Sequence, residues 1–161
     1  MKSIHFLFSL SIASLFFICV ECHVCMISPP QRGSMQGLNT PGADDCILLT
    51  GPCGGRNSTG APSQGVRLGS QYTVTFQKNL DHFNSTTPGK FTIGMSDPTQ
   101  QTFQQLSMVP DDSQPSLSLY SVNVTIPGVV YTHGVIQVQY QTNNPAAPPV
   151  FYQCADVFLF A

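Results

Sequence analysis

The chain has 161 residues, a formal net charge of −2 and only 9% charged residues. With a slight negative balance and no basic cluster, its composition argues against nucleic acid or an anionic membrane surface as partners. It carries no apolar stretch after the first residues, so neither a membrane span nor a lipid-anchor tail after Ala161 is expected.

Lys2 and His5 precede an uncharged apolar run from Phe6 to Val20, too short to span a bilayer as a helix. Val20 and Cys22 are small enough for the −3 and −1 positions of a cleavage before His23. The pattern predicts a signal peptide over residues 1–22, a secreted extracellular product and one mature domain over 23–161; a retained anchor is the alternative. From Met26 to Gly69 the chain is rich in Pro, Gly, Ser and Asn, and reads as a long irregular loop region laid on the core. Strands follow: Tyr72–Phe76, Phe91–Met95, a weaker Phe103–Val109, Leu117–Ile126, Gly134–Thr142 and Phe151–Phe160. In Leu117–Ile126 the set Ser118, Tyr120, Val122, Val124 and Ile126 is the expected core face. Short strands separated by turn signals, with no helical periodicity, predict an all-β antiparallel sandwich.

Four cysteines remain after the leader: Cys25, Cys46, Cys53 and Cys154. In a secreted chain an even number most often forms disulfides, with three pairings open, and the spacing does not match a zinc ribbon. Sequons at Asn57, Asn84 and Asn123 fit the same compartment and predict a glycoprotein.

Cleavage before His23 would expose a residue that offers two ligands, its α-amine and its ring Nδ1. A second imidazole opposite them completes a three-nitrogen set, a tetragonal arrangement that suits Cu(II). His82, in Asn79-Leu80-Asp81-His82-Phe83-Asn84, lies in a loop between two expected strands. It is either that second ligand or a solvated histidine beside an aspartate. His133 precedes a strand and reads as a turn residue.

Four strings carry a family likeness. His23-Val24-Cys25-Met26-Ile27-Ser28-Pro29-Pro30-Gln31-Arg32-Gly33 resembles the mature start of histidine-brace copper proteins. Pro52-Cys53-Gly54-Gly55-Arg56, Gly134–Tyr140 and Phe151-Tyr152-Gln153-Cys154-Ala155-Asp156-Val157 resemble elements of the BIM-type copper-acquisition family, which is related in fold to the lytic polysaccharide monooxygenases. The resemblance implies an immunoglobulin- or fibronectin-like sandwich holding one copper ion. By position it implies His23, His82 and Asp156 as metal residues, with Phe151 or Tyr152 as an axial aromatic. It also suggests the pairs Cys25–Cys46 and Cys53–Cys154.

Three functions compete: a non-catalytic copper-binding protein of acquisition or homeostasis, a copper-dependent polysaccharide monooxygenase, and a secreted interaction module without metal. The first is favoured. The chain has no Trp for a flat glycan-binding face, and an aspartate near copper would hold it as Cu(II). No catalytic residue is assigned. A monomer that exchanges copper with a transporter or cell-surface component is expected. The intact mass of the secreted protein tests the first step: it should correspond to a chain beginning at His23 and lacking the thiol hydrogens of two cystines. A mass that includes any residue before His23 removes the proposed amine ligand.

Overall fold

The computed structural model describes residues 23–58, 60–62 and 64–161. The expected signal peptide lies outside them. Eight strands form two sheets: β1 (His23–Ser28), β2 (Gln64–Arg67), β3 (Gln71–Leu80), β4 (Lys90–Ser96), β5 (Gln104–Pro110), β6 (Ser118–Thr125), β7 (His133–Gln141) and β8 (Val150–Phe160). One sheet has the order β1-β3-β6, the other β2-β8-β7-β4-β5. The β-sandwich read from strand spacing is the fold observed.

The inward faces follow the alternation of the sequence. Val74 and Phe76 of β3 and Val124 of β6 meet Phe91 and Ile93 of β4, Ile136, Val138 and Tyr140 of β7, and Phe151 of β8. Phe91 joins the two sheets through Phe76, 5.1 Å away centroid to centroid, and stacks within its own sheet on Tyr140 at 4.4 Å. Contacts in this range add about 0.5–1.5 kcal/mol each beyond area burial. In β6 the expected core face is the one turned inward, while Leu119, Ser121, Asn123 and Thr125 are exposed. Strand β7 is central and buried on both faces, because Pro52 and Cys53 cover its outward side around Gln137 and Val135.

The expected irregular region needs correction at both ends. Met26 to Ser28 belong to β1, and Gln64–Arg67 form β2, which runs parallel to β8 in a sandwich expected to be antiparallel. Only Val66 of β2 is buried. An edge strand with one inward residue has no alternation to reveal it. Between them lies one short 3-10 turn, Asp44–Cys46.

Both suggested disulfides are present. Cys25–Cys46 fastens the loop to β1, and Cys53–Cys154 fastens it to β8. They close sequence separations of 21 and 101 residues. On a chain-entropy basis they contribute about 3.3 and about 4.7 kcal/mol respectively. Urea melts should therefore show the Cys53→Ala/Cys154→Ala variant to be less stable than Cys25→Ala/Cys46→Ala.

Candidate metal centre

The position of His23 is set by the pairing of β1 with β3. His23 is the register partner of Leu80, yet Val24 is already opposite Lys78, so the register skips Asn79. This β-bulge puts an additional residue of β3 beside the first residue of β1. Bulges commonly re-aim side chains next to functional sites. Asn79 is fully buried. Its Oδ1 accepts from the N–H groups of Gly42 (2.9 Å) and Ala43 (3.0 Å), and its Nδ2 donates to Thr40 O at 3.1 Å. The loop hung on Asn79 runs against the His23 ring: a Cβ on Gly42 would stand 3.9 Å from His23 Cε1. Gly42 has φ +81°, a left-handed conformation that favours glycine. Nothing in the sequence pattern singled out Asn79. Its role depends on a register that only the paired strands reveal.

His82 follows Leu80 by two positions, just where the chain leaves β3. Both histidines therefore stand at one end of the same sheet. Diagonal cross-strand neighbours of this kind lie about 7–8 Å apart where a ladder continues. His23 is fully buried in the 161-residue chain and His82 nearly so. Asn144 Nδ2 donates to His82 O at 3.1 Å, which ties the histidine loop to the turn after β7.

Behind His82 lies a buried ionic cluster. Lys78 Nζ is 2.9 Å from Asp111 Oδ1, 2.9 Å from Asp81 Oδ1 and 2.7 Å from Asp112 O. Tyr140 donates to Asp111 Oδ2 at 2.6 Å. Tyr120 donates to Asp112 Oδ1. Burial first, and then that hydrogen bond, push the Tyr120 phenol well above its ordinary range.

The other expected site residues lie elsewhere. Val150 and Phe151 begin β8 at the histidine end, since Val150 pairs with Gln141, just ahead of the turn that holds Asn144. Asp156 is about 17 Å further along β8 at the usual strand rise. It pairs with Val135, and it receives Arg32 Nε at 2.9 Å and Nη2 at 2.7 Å. Fork-to-carboxylate geometry of this kind is among the stronger side-chain pairings. The structure thus does not bring Asp156 to the histidines. Among the described residues no three His, Cys, Asp or Glu side chains form a group that could hold a metal ion. Phe151 faces the core, its ring 6.3 Å from Tyr140. Tyr152 faces the opposite way, under Gly51 of the covering loop. His133 opens β7 with its ring 6.1 Å from that of Phe158. Of the sequons, Asn57 and Asn123 are exposed and Asn84 is half-buried.

A two-sheet sandwich whose first strand starts at a histidine, with a second histidine just past that strand's partner, defines a class of fold. It is similar to an AA10 lytic polysaccharide monooxygenase from Streptomyces lividans: TM-score 0.61, 18% identity, covering 84% of this chain and 99% of that one. It is also similar to the catalytic domain of the monooxygenase Lmo2467 from Listeria monocytogenes (TM-score 0.56, 15% identity, 86% and 100% covered). A third likeness is to a lytic polysaccharide monooxygenase of Jonesia denitrificans (TM-score 0.54, 14% identity, 86% and 100% covered). At these identities the likeness concerns the fold.

Within that class, residues 21–161 match the copper acquisition factor BIM1-like domain, and the chain belongs to that family. Membership places it among copper-binding proteins. A search of curated proteins gives no match.

Replacing Asn79 by Ala should cost about 1–3 kcal/mol, because two backbone N–H groups lose their acceptor. Urea denaturation reads the loss. Hydrogen exchange should show faster opening at Gly42 and Ala43.

Proposed function

We propose that the mature protein binds one Cu(II) ion through the α-amine and Nδ1 of His23 and the imidazole of His82, and serves in copper acquisition. While residue 22 is attached, the His23 nitrogen is an amide and cannot donate a lone pair. Signal cleavage on secretion creates the amine, whose ordinary pKa near 8 allows a metal to displace its proton. The observation that carries the reading is the β1–β3 register, which puts His82 two positions beyond the partner of His23. The donors are nitrogen only, which suits cupric copper. Copper is cargo in this reading, and the chain's own groups hold it.

Polysaccharide oxidation is the second reading, and the likeness of fold to monooxygenases supports it. The surface argues the other way. Among the described residues the exposed large aromatics are Phe158 and Phe160, which close β8 at the end remote from His23 and His82. Among the described residues no fully exposed large aromatic lies at that end, and Phe83 beside His82 is half-buried.

Cu(II) at a hundredfold excess over its dissociation constant should stabilise the mature protein by about 2.7 kcal/mol. His82→Ala should lose most of that gain, as should a product with one additional residue before His23. An axial, nitrogen-rich EPR spectrum should accompany binding by the wild type only. Equal stabilisation of all three proteins overturns the reading. Oxidised oligosaccharides released from chitin or cellulose with ascorbate and oxygen would establish the monooxygenase in its place.

A further inference from the structure

We propose that Lys78 is a positioning residue for His82, acting through Asp81. The inference rests on the copper reading for its metal consequence, but its structural content stands on the chain alone. Lys78 lies on β3, which is paired on both sides, and its side chain is fully buried. An ammonium has three N–H donors. Two of them go to Asp111 Oδ1 and Asp112 O, groups on the segment after β5. Asp111 is itself buried and held by Tyr140. The ammonium is therefore fixed from the core side, and a third charged partner must come to it.

That partner is Asp81, immediately before His82, whose Oδ1 forms an ion pair with Lys78 Nζ at 2.9 Å. The same oxygen, Asp81 Oδ1, accepts from the Phe83 N–H at 3.0 Å and so closes an Asx turn across His82. The Asp81 N–H donates to Ser116 Oγ at 2.9 Å, and Asn144 holds His82 O. Lys78 thus connects an immobile cluster to the one loop that carries the second imidazole. A buried ion pair is weak evidence for stability, since apolar packing can replace it without loss. Its orientation of a loop is what apolar packing cannot replace. Groups behind a ligand that fix its orientation commonly change metal affinity by about 10–100-fold when removed.

Lys78→Met would strand the buried Asp111 carboxylate and unfold the protein for reasons unrelated to His82. The test therefore uses the mature chain with Asp81→Ala and Asp81→Asn, because the Asp81 side chain is 33% exposed. Without copper, Asp81→Ala should keep a wild-type melting temperature while NMR order parameters at His82 and Asn84 fall below about 0.6. Cu(II) affinity should weaken about 10–100-fold, with altered EPR hyperfine splitting. Asp81→Asn retains an oxygen for the Phe83 N–H but loses the charge that Lys78 holds, and should fall between the two; an Asn variant as ordered at His82 as the wild type overturns the role of Lys78. Unchanged order at His82 and Asn84 in Asp81→Ala overturns the proposal, and so does a loosened loop with unaltered Cu(II) affinity and spectrum. A loosened loop in a protein whose wild type binds no Cu(II) defeats the copper reading and leaves Lys78 as the group that positions His82.

Discussion

Strand β1 has one hydrogen-bonded neighbour. It lies at the edge of its sheet, so the ladder with β3 alone determines where His23 stands. That ladder is interrupted at both ends, and at the His23 end β3 supplies Asn79 without a partner on β1. The skipped residue is buried under the Thr40–Ala43 loop that it holds, and that loop runs against the His23 ring. The residue before it, Lys78, turns toward a cluster of carboxylates and holds the loop that carries His82. Two consecutive side chains of β3 thus govern the two imidazoles from opposite sides.

Most of the sandwich was legible in the sequence because its strands alternate. The run Ser118–Ile126 shows which side faces the core without any structure. β1 and β2 were not legible, for different reasons. β1 is buried almost throughout, from His23 to Met26, so it offers no polar beat. β2 has a single inward residue. The histidines could be nominated from their places in the chain, and the family strings gave the cystine pairs. Asp156 shows the boundary of that method. A carboxylate in a matching string looks like a ligand until the register of β8 puts it beside Val135 and the guanidinium of Arg32.

The ionic groups divide between two poles. Toward the end away from the histidines, Arg32 links Asp156 of β8 to the backbone of Arg56 and the side chain of Gln100, and Arg56 in turn pairs with Asp45. These contacts fasten the covering loop to the sheet. At the histidine end, Lys78, Asp81, Asp111 and Tyr140 perform the same service from inside the sandwich. Each pole matches its cations with carboxylates and carbonyls, as buried charges require.

Chain termini usually fray, and a terminal ligand then has to be immobilised by the ion it captures. Here Cys25, two residues into the strand, is joined to Cys46 of the loop that covers His23. His23 is clamped on one flank by a covalent bond and on the other by β3. The entropy of ordering it is lost when the polypeptide folds. On the copper reading proposed above, the ion meets an ordered donor, and its capture should carry a smaller entropic penalty than binding to a free histidyl peptide.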